Sequence, residues 1–122
     1  MSAPRTHPGR FRARPIRRQS RRGFVFVSGQ LGLKLGDEEI SGSIAEQTEQ
    51  IFLNLRAILG AAGSGLDRLV KTTVYLVDLS EFGAMNEVYA RHVGEAPPAR
   101  ATVEVAALPS GARVEIEAIA AL

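Results

Sequence analysis

The stretch PPARATVEV at Pro97–Val105 alternates between apolar and polar residues, and so does RVEIEAI at Arg113–Ile119. Alternation with a period of two is typical of a β-strand that has one buried face. The segment LPSG at Leu108–Gly111 lies between the two runs and has the composition of a turn. The sequence therefore predicts two adjacent strands joined by a turn, with the polar sides of both strands on one face of a sheet.

The polar residues of these two runs suggest a binding site for a small acid. Arg100 follows the stiff pair Pro97-Pro98 at the start of the first strand, and its planar guanidinium can bind both oxygens of a carboxylate. Glu115 on the second strand could orient a water molecule or move a proton. The alternative is that Arg100, Glu104, Glu115 and Glu117 form ion pairs across a solvated sheet face. The pattern of residues leaves both interpretations open.

Length and composition restrict the class of protein. The chain has 122 residues, of which 45% are hydrophobic and 23% charged, as expected for one soluble domain with a modest core. It contains no cysteine, which excludes disulfides, thiolate catalysis and cysteine-ligated metals. No apolar run approaches the length that spans a membrane, so the expected location is the cytoplasm.

The basic residues are distributed unevenly along the chain. Eight of the fifteen precede Gly23, where there is no acidic residue, and the other seven stand against all thirteen acidic residues. Such a basic arm could bind nucleic acid through phosphates, but its one aromatic residue, Phe11, gives little support for stacking on single strands. We expect residues 1–22 to be an irregular or frayed arm without a specific partner and residues 23–122 to form the domain.

The middle of the chain predicts further strands and two helices. A short strand is also expected before Gly23. Ser43 and Glu46 have the spacing of a capping box at the start of the first helix, and Gly63 can end it. The predicted elements are a strand at Phe24–Gln30, a helix from Ser43 to about Ala62, a strand at Val70–Val77 and a helix from Asp78 to about His92.

Histidine is too scarce for a metal site built on it. His7 and His92 are the whole complement, so a histidine metal centre is not expected. His92 has no partner in the sequence that would indicate a catalytic triad. We expect it to interact with the carbonyl groups at the end of its helix.

The order of elements predicts a mixed sheet with one free face. Each strand–helix–strand unit implies parallel strands, and the last two strands add an antiparallel pair. Two helices can cover one face of such a sheet. The economical way to bury the other face is association with further copies of the chain.

Several of these segments together resemble the Rid family, also known as YjgF. The similarity extends from Gly23 to Ala120 and includes FVFVSGQ, VKTTVYL, MNEVY, PARATVEV and VEIEA in the order of the family. The resemblance implies a chorismate-mutase-like α+β fold, with two helices on one face of a mixed sheet. It also implies a homotrimer with ligand sites in clefts between subunits. Its implied activity is hydrolysis of 2-imino acids or their enamine tautomers to 2-keto acids and ammonia, without a metal or organic cofactor.

The resemblance assigns roles to four residues. By position, Arg100 corresponds to the residue that binds the substrate carboxylate, and Glu115 to the glutamate that places the attacking water. Ser28 corresponds to the serine of the Ser-Gly-Gln motif and Asn86 to a pocket asparagine. This assignment favours a functional Arg100 over a purely structural one.

The chain also differs from the family pattern. Arg14–Arg17 occupies the place where the family has a pocket tyrosine, and Pro97 stands where phenylalanine is common. The missing tyrosine favours the second hypothesis, a non-catalytic binder of small carboxylic acids. A third hypothesis is a protein that acts on RNA through the basic arm, which would require binding that weakens strongly with salt.

Overall fold

The computed structural model describes residues 18–21, 23–34, 36–37 and 39–122. These residues form an α+β fold with five strands and two α-helices. The strand expected before Gly23 is present as β1, while residues 1–17 of the predicted arm lie outside the described part. The elements are β1 Arg18–Arg21, β2 Phe24–Leu31, α1 Ile44–Ala61, β3 Leu69–Leu76, α2 Phe82–Val93, β4 Ala99–Glu104 and β5 Val114–Ala121.

The strands lie in the order β1-β2-β5-β3-β4. β5 is antiparallel to both of its neighbours, β2 and β3, whereas β3 and β4 are parallel. The predicted adjacency of the last two strands is therefore wrong, because β3 lies between them. The parallel pairing that was predicted for strands joined by a helix is found for β3 and β4, which α2 connects.

Both helices pack on one face of the sheet. Helix α1 begins with the predicted capping box: the Ser43 hydroxyl accepts from the Glu46 amide at 3.1 Å, and the Glu46 carboxylate accepts from the Ser43 amide at 2.8 Å. It ends before Gly63, whose φ of 84° is one that glycine adopts readily. The buried residues of α1 are Ile44, Gln47, Thr48, Ile51, Phe52, Leu55 and Leu59.

Alternate residues of the sheet face the helices or the opposite side, which we name the open face. Val114, Ile116, Ala118 and Ala120 of β5 are buried under the helices, so the residues between them, which include Glu115, lie on the open face. The register continues this alternation across the sheet. Glu115 is opposite Tyr75 of β3 on the open face, and β3 is in turn paired with β4.

The two predicted polar strand sides lie on opposite faces of the sheet. Arg100 of β4 is opposite Thr72 of β3, and Thr72 is buried against Tyr89 of α2. Arg100 is therefore on the helix face and Glu115 on the open face. The prediction that both polar sides share one face is wrong because it assumed that β4 and β5 are adjacent.

Large apolar side chains lie on the open face. Phe24 is 42% exposed, Phe26 41% and Val103 42%, and each lies on this face by its register. An apolar sheet surface of this kind is typical of an interface with another protein chain. In the described part of the chain, neither helix combines the length and the apolar character needed to cross a membrane.

Candidate functional site

Arg100 lies in a cluster of side chains from helix α2. Its Nη1 donates a hydrogen bond of 2.6 Å to Asn86 Oδ1, and its Cζ lies 4.5 Å from the centroid of the Tyr89 ring and 5.2 Å from that of Phe82. A guanidinium at these distances is attracted to the ring faces. We name Arg100, Asn86, Tyr89 and Phe82 the arginine cluster.

The sequence of α2 explains why these partners meet Arg100. Phe82, Asn86 and Tyr89 are spaced i, i+4 and i+7, which places them on one side of a helix. Helix α2 connects β3 to β4, so this side of it covers the edge of the sheet where Arg100 lies. The Tyr89 ring is held by a 2.6 Å hydrogen bond between its hydroxyl and that of Thr72, and by edge-to-face packing on Phe52. The guanidinium is thus fixed in position before any ligand binds.

No carboxylate in the described part of the chain neutralises Arg100. Among the described residues, no carboxylate forms an ion pair with its guanidinium, and its hydrogen bond to a protein acceptor goes to Asn86. Arg100 is also exposed. Since a guanidinium has five N–H donors, the remaining donors can bind a carboxylate from outside the chain.

Glu115 lies on the open face beside an irregularity in β2. The register of β2 against β5 shifts between Val27 and Gln30, so Ser28 and Gly29 together oppose the single residue Glu117. A Cβ at position 29 would overlap the Glu115 carboxyl group. The glycine of the Ser-Gly-Gln segment therefore makes room for this carboxyl group.

Two further side chains surround Glu115. Tyr75 is opposite it on β3 and donates a hydrogen bond of 3.1 Å to Glu117 Oε1. Burial, and secondly the charge of Glu117, raise the pKa of Glu115 above its usual value. Burial, and secondly the hydrogen bond to Glu117, raise the pKa of Tyr75. We name Glu115, Glu117, Tyr75 and the Ser28-Gly29 segment the carboxyl cluster.

The four residues that the resemblance assigned to the pocket form two separate groups in one chain. Arg100 and Asn86 are in contact on the helix face. Glu115 and the exposed Ser28 belong to the carboxyl cluster, with the Ser28 carbonyl accepting a 3.1 Å hydrogen bond from the Gln30 side chain. Because the sheet separates the two groups, a small ligand cannot contact Arg100 and Glu115 of the same chain.

His92 has a different role from the predicted one. Its ring stacks on Phe52 at a centroid distance of 4.7 Å and an interplanar angle of 1°, and its Nε2 lies 2.9 Å from Glu49 Oε1. The prediction that it interacts with the carbonyl groups of its own helix end is wrong. His92 and Glu49 instead connect α2 to α1. In the described part of the chain, no three His, Cys, Asp or Glu residues gather into a group that could hold a metal ion.

Sequence reasoning missed part of the arginine cluster. The contact of Tyr89 and Phe82 with Arg100 was not predicted from the sequence. The β3–α2–β4 order contained the necessary information, because the side of α2 that faces the sheet also faces the strand that follows it. The region Arg14–Arg17, where the family tyrosine is missing, lies outside the described residues. The expectation that the basic arm has no specific partner stays a prediction, and RNA binding by the arm stays a hypothesis.

Proteins with similar sequences include a RutC family protein and a 2-imino acid deaminase. A RutC family protein of Pyrococcus horikoshii is 50% identical over 99 residues, which cover 80% of this chain and 78% of that protein. The mouse 2-iminobutanoate/2-iminopropanoate deaminase is 46% identical over 97 residues, which cover 79% of this chain and 72% of the deaminase. Both relatives therefore match this chain over most of their length.

Solved structures show the same fold. RidA from the Antarctic bacterium Psychrobacter sp. PAMC 21119 superposes with a TM-score of 0.83 at 43% identity, covering 87% of this chain and 86% of the other. Escherichia coli TdcF with bound serine gives a TM-score of 0.80 at 34% identity, with coverage of 87% and 86%. The family model described as endoribonuclease L-PSP matches residues 15–122. The chain therefore belongs to this family, which includes the Rid (YjgF) proteins that its sequence resembles.

Proposed function

We propose that the protein hydrolyses reactive 2-imino acids and their enamine tautomers to 2-keto acids and ammonia. Arg100 binds the substrate carboxylate, Asn86 holds Arg100, and Glu115 orients the attacking water beside Ser28. The names of relatives such as the mouse deaminase support this reaction class. The chemistry assigned to the protein's side chains needs neither a metal nor an organic cofactor.

The main observation in support of the proposal is the environment of the Arg100 guanidinium. Its guanidinium is fixed by Asn86 and Tyr89, exposed, and without a carboxylate partner among the described residues. An arginine in a structural ion pair would instead be neutralised by a carboxylate of the protein. A pre-positioned, unneutralised guanidinium suits a substrate that brings its own carboxylate.

The reaction can be written with proton transfers through Glu115. Water forms a bond to the carbon of the protonated imine while the C=N π electrons move to nitrogen, and the Glu115 carboxylate accepts a proton from that water. Glu115 returns the proton to nitrogen, the C–N bond breaks, and ammonia leaves with the electron pair. The hydroxyl proton passes to Glu115 as the carbonyl forms, and Glu115 then gives it to the departing ammonia, which restores the carboxylate. A carboxyl group with a raised pKa is suited to both directions of transfer.

A second copy of the chain completes the proposed site. Since the two clusters lie on opposite faces of one sheet, the Arg100 that binds the substrate and the Glu115 that activates water come from different copies. The exposed Phe24, Phe26 and Val103 on the open face supply an apolar surface for that association. A homotrimer with three shared sites fits this arrangement and is part of the proposal.

The test is to supply the imine with a pyridoxal-phosphate-dependent serine or threonine dehydratase and to follow its conversion to the keto acid. We expect Arg100→Ala to lose about 2–3 kcal/mol of transition-state binding, because charged hydrogen bonds to the carboxylate disappear. This loss corresponds to a roughly 30- to 150-fold lower kcat/KM. Arg91→Ala is the matched control, since Arg91 is an exposed arginine on α2 outside the arginine cluster. Equal losses in the two variants would contradict the role of Arg100.

A non-catalytic binder of small carboxylic acids is the second candidate. The relative TdcF has a structure with bound serine, which shows that this fold can hold an amino acid. This candidate uses the same arginine cluster but requires no turnover. Calorimetry with a 2-keto acid separates the two: binding that Arg100→Ala abolishes, together with an unchanged imine lifetime, would favour the binder.

A further inference from the structure

Glu115 and Glu117 are neighbouring carboxyl groups on the open face. They are two residues apart on β5, so their Cα atoms are separated by about 7 Å and their side chains point to the same side. Tyr75 lies across from Glu115 and reaches diagonally to Glu117, to which its hydroxyl donates a hydrogen bond of 3.1 Å. Three titratable groups therefore share one small area of the sheet.

The surroundings of Glu115 contain no nearby compensating cation among the described residues. The neighbouring strand β2 contributes Ser28 and Gly29, and β3 contributes Tyr75. Lys71 is on the same face but lies opposite Ile119, beyond Glu117. Arg113, which precedes Glu115 by two residues, forms an ion pair with Glu81 instead. Within one chain, the charged group among the described residues that acts on Glu115 is thus Glu117. In the proposed shared site, Arg100 of a neighbouring copy faces Glu115 across the substrate, whose carboxylate it binds.

We propose that Tyr75 and Glu117 are positioning residues for the imine hydrolysis. Tyr75 fixes the Glu117 carboxylate beside Glu115, and the negative charge at Glu117 keeps a proton on Glu115 available for the departing amine. The inference rests on the proposed function, to which it adds the groups that control the protonation of Glu115. It gives Glu117 a chemical role beside Glu115.

Two effects act on Glu115 in the same direction. Burial disfavours its ionised form, and a like charge on the same strand adds to that cost, so its pKa is raised. A hydrogen bond from the Tyr75 hydroxyl holds the Glu117 carboxylate in place, whereas a free glutamate would turn towards solvent. Tyr75 thereby holds the Glu117 carboxylate on the side of the sheet where Glu115 lies.

The direct test is a carbon-13 NMR titration of the Glu115 side-chain carboxyl group in the full chain. Glu117→Gln keeps an oxygen that can accept from Tyr75 and removes the charge, so the midpoint of Glu115 should move to lower pH. Tyr75→Phe keeps the ring and removes the hydroxyl, so the midpoint should also fall, but by less. Glu104→Gln is the matched control, because Glu104 accepts from the Leu79 amide on the helix face, and it should leave the midpoint unchanged.

A pH profile of kcat links the titration to the reaction. In Glu117→Gln the acidic limb of the profile should move to lower pH together with the Glu115 midpoint, while KM stays the same because Arg100 still binds the carboxylate. A protein that is active but whose Glu115 midpoint is equal in wild type and Glu117→Gln would overturn the inference alone. A wild-type protein without activity would overturn the proposed function. Proton transfer from Glu115 to the departing amine would then have no role.

Discussion

Residue 29 shows how one backbone position determines the location of a functional group. The three atoms nearest to a Cβ at this position all belong to the Glu115 side chain, so the carboxyl group is what would move. We therefore expect Gly29→Ala to displace the carboxyl group with little effect on stability. Because misplacement by about 1 Å can cost up to about 100-fold, we expect kcat to fall by at least about tenfold. KM, which depends on Arg100, should change little.

Gly60→Ala is the matched control for this substitution. Gly60 is in α1 with no atom near its Cβ position, so an added methyl group should stabilise the helix by about 0.5–1 kcal/mol and leave kcat unchanged. Steady-state kinetics and thermal unfolding measure both variants. A Gly29→Ala protein with full kcat would show that the observed position of the Glu115 carboxyl group is not required.

At the scale of elements, the contact between His92 and Glu49 connects the two helices. The hydrogen bond from His92 lowers the pKa of Glu49, which means that the folded state favours the ionised form. This stabilisation is present above the ordinary glutamate pKa and is lost as the pH falls through the lowered value. The contact should therefore contribute at neutral pH and disappear in acid.

Glu49→Gln tests this contact. Because the Glu49 side chain is 43% exposed, we expect a loss of about 0.5–1 kcal/mol at pH 7, as for other surface pairs, and no difference at a pH below the titration of Glu49. Thermal unfolding across this pH range measures the effect. Glu87→Gln, at an exposed position on α2, should match the wild type throughout. A loss that is the same at every pH would attribute the effect to packing rather than to charge.

The elements themselves were predicted well because their signals are local. The capping box depends on Ser43 and Glu46, which are three residues apart. The alternation in β5 depends on successive residues of one strand. Strand order is not local. A short connection favours adjacent strands, but β5 instead enters between β2 and β3, where it pairs along both of its edges. That error alone placed Arg100 and Glu115 on one face.

The contacts that the sequence did not predict are long-range in the same sense. His92 meets Glu49 across 43 residues, and Arg100 meets Asn86 across 14. The resemblance indicated Arg100 and Asn86 separately, but the stacking of Arg100 on Tyr89 depends on how α2 lies over the edge of the sheet. The helical spacing of Tyr89 shows which side of α2 it lies on, but it does not show that the same ring also contacts Arg100.

At the scale of the whole molecule, the two clusters make a prediction about assembly. One chain holds an arginine cluster on its helix face and a carboxyl cluster on its open face. If copies associate through the open face in a cyclic arrangement, each site takes one cluster from each of two neighbours. A variant defective in one cluster should then complement a variant defective in the other.

Mixing Arg100→Ala with Glu115→Gln, each strongly impaired alone, tests this arrangement after the copies have been dissociated and reassociated. In an equal mixture about one quarter of the sites should join an intact Arg100 from one copy to an intact Glu115 from its neighbour, since cyclic assemblies repeat one interface. The recovered rate should therefore approach about a quarter of the wild-type rate. Mixing without reassociation is the control and should recover nothing. If reassociated mixtures stay inactive although the variants form mixed oligomers, the two residues do not act in one shared site.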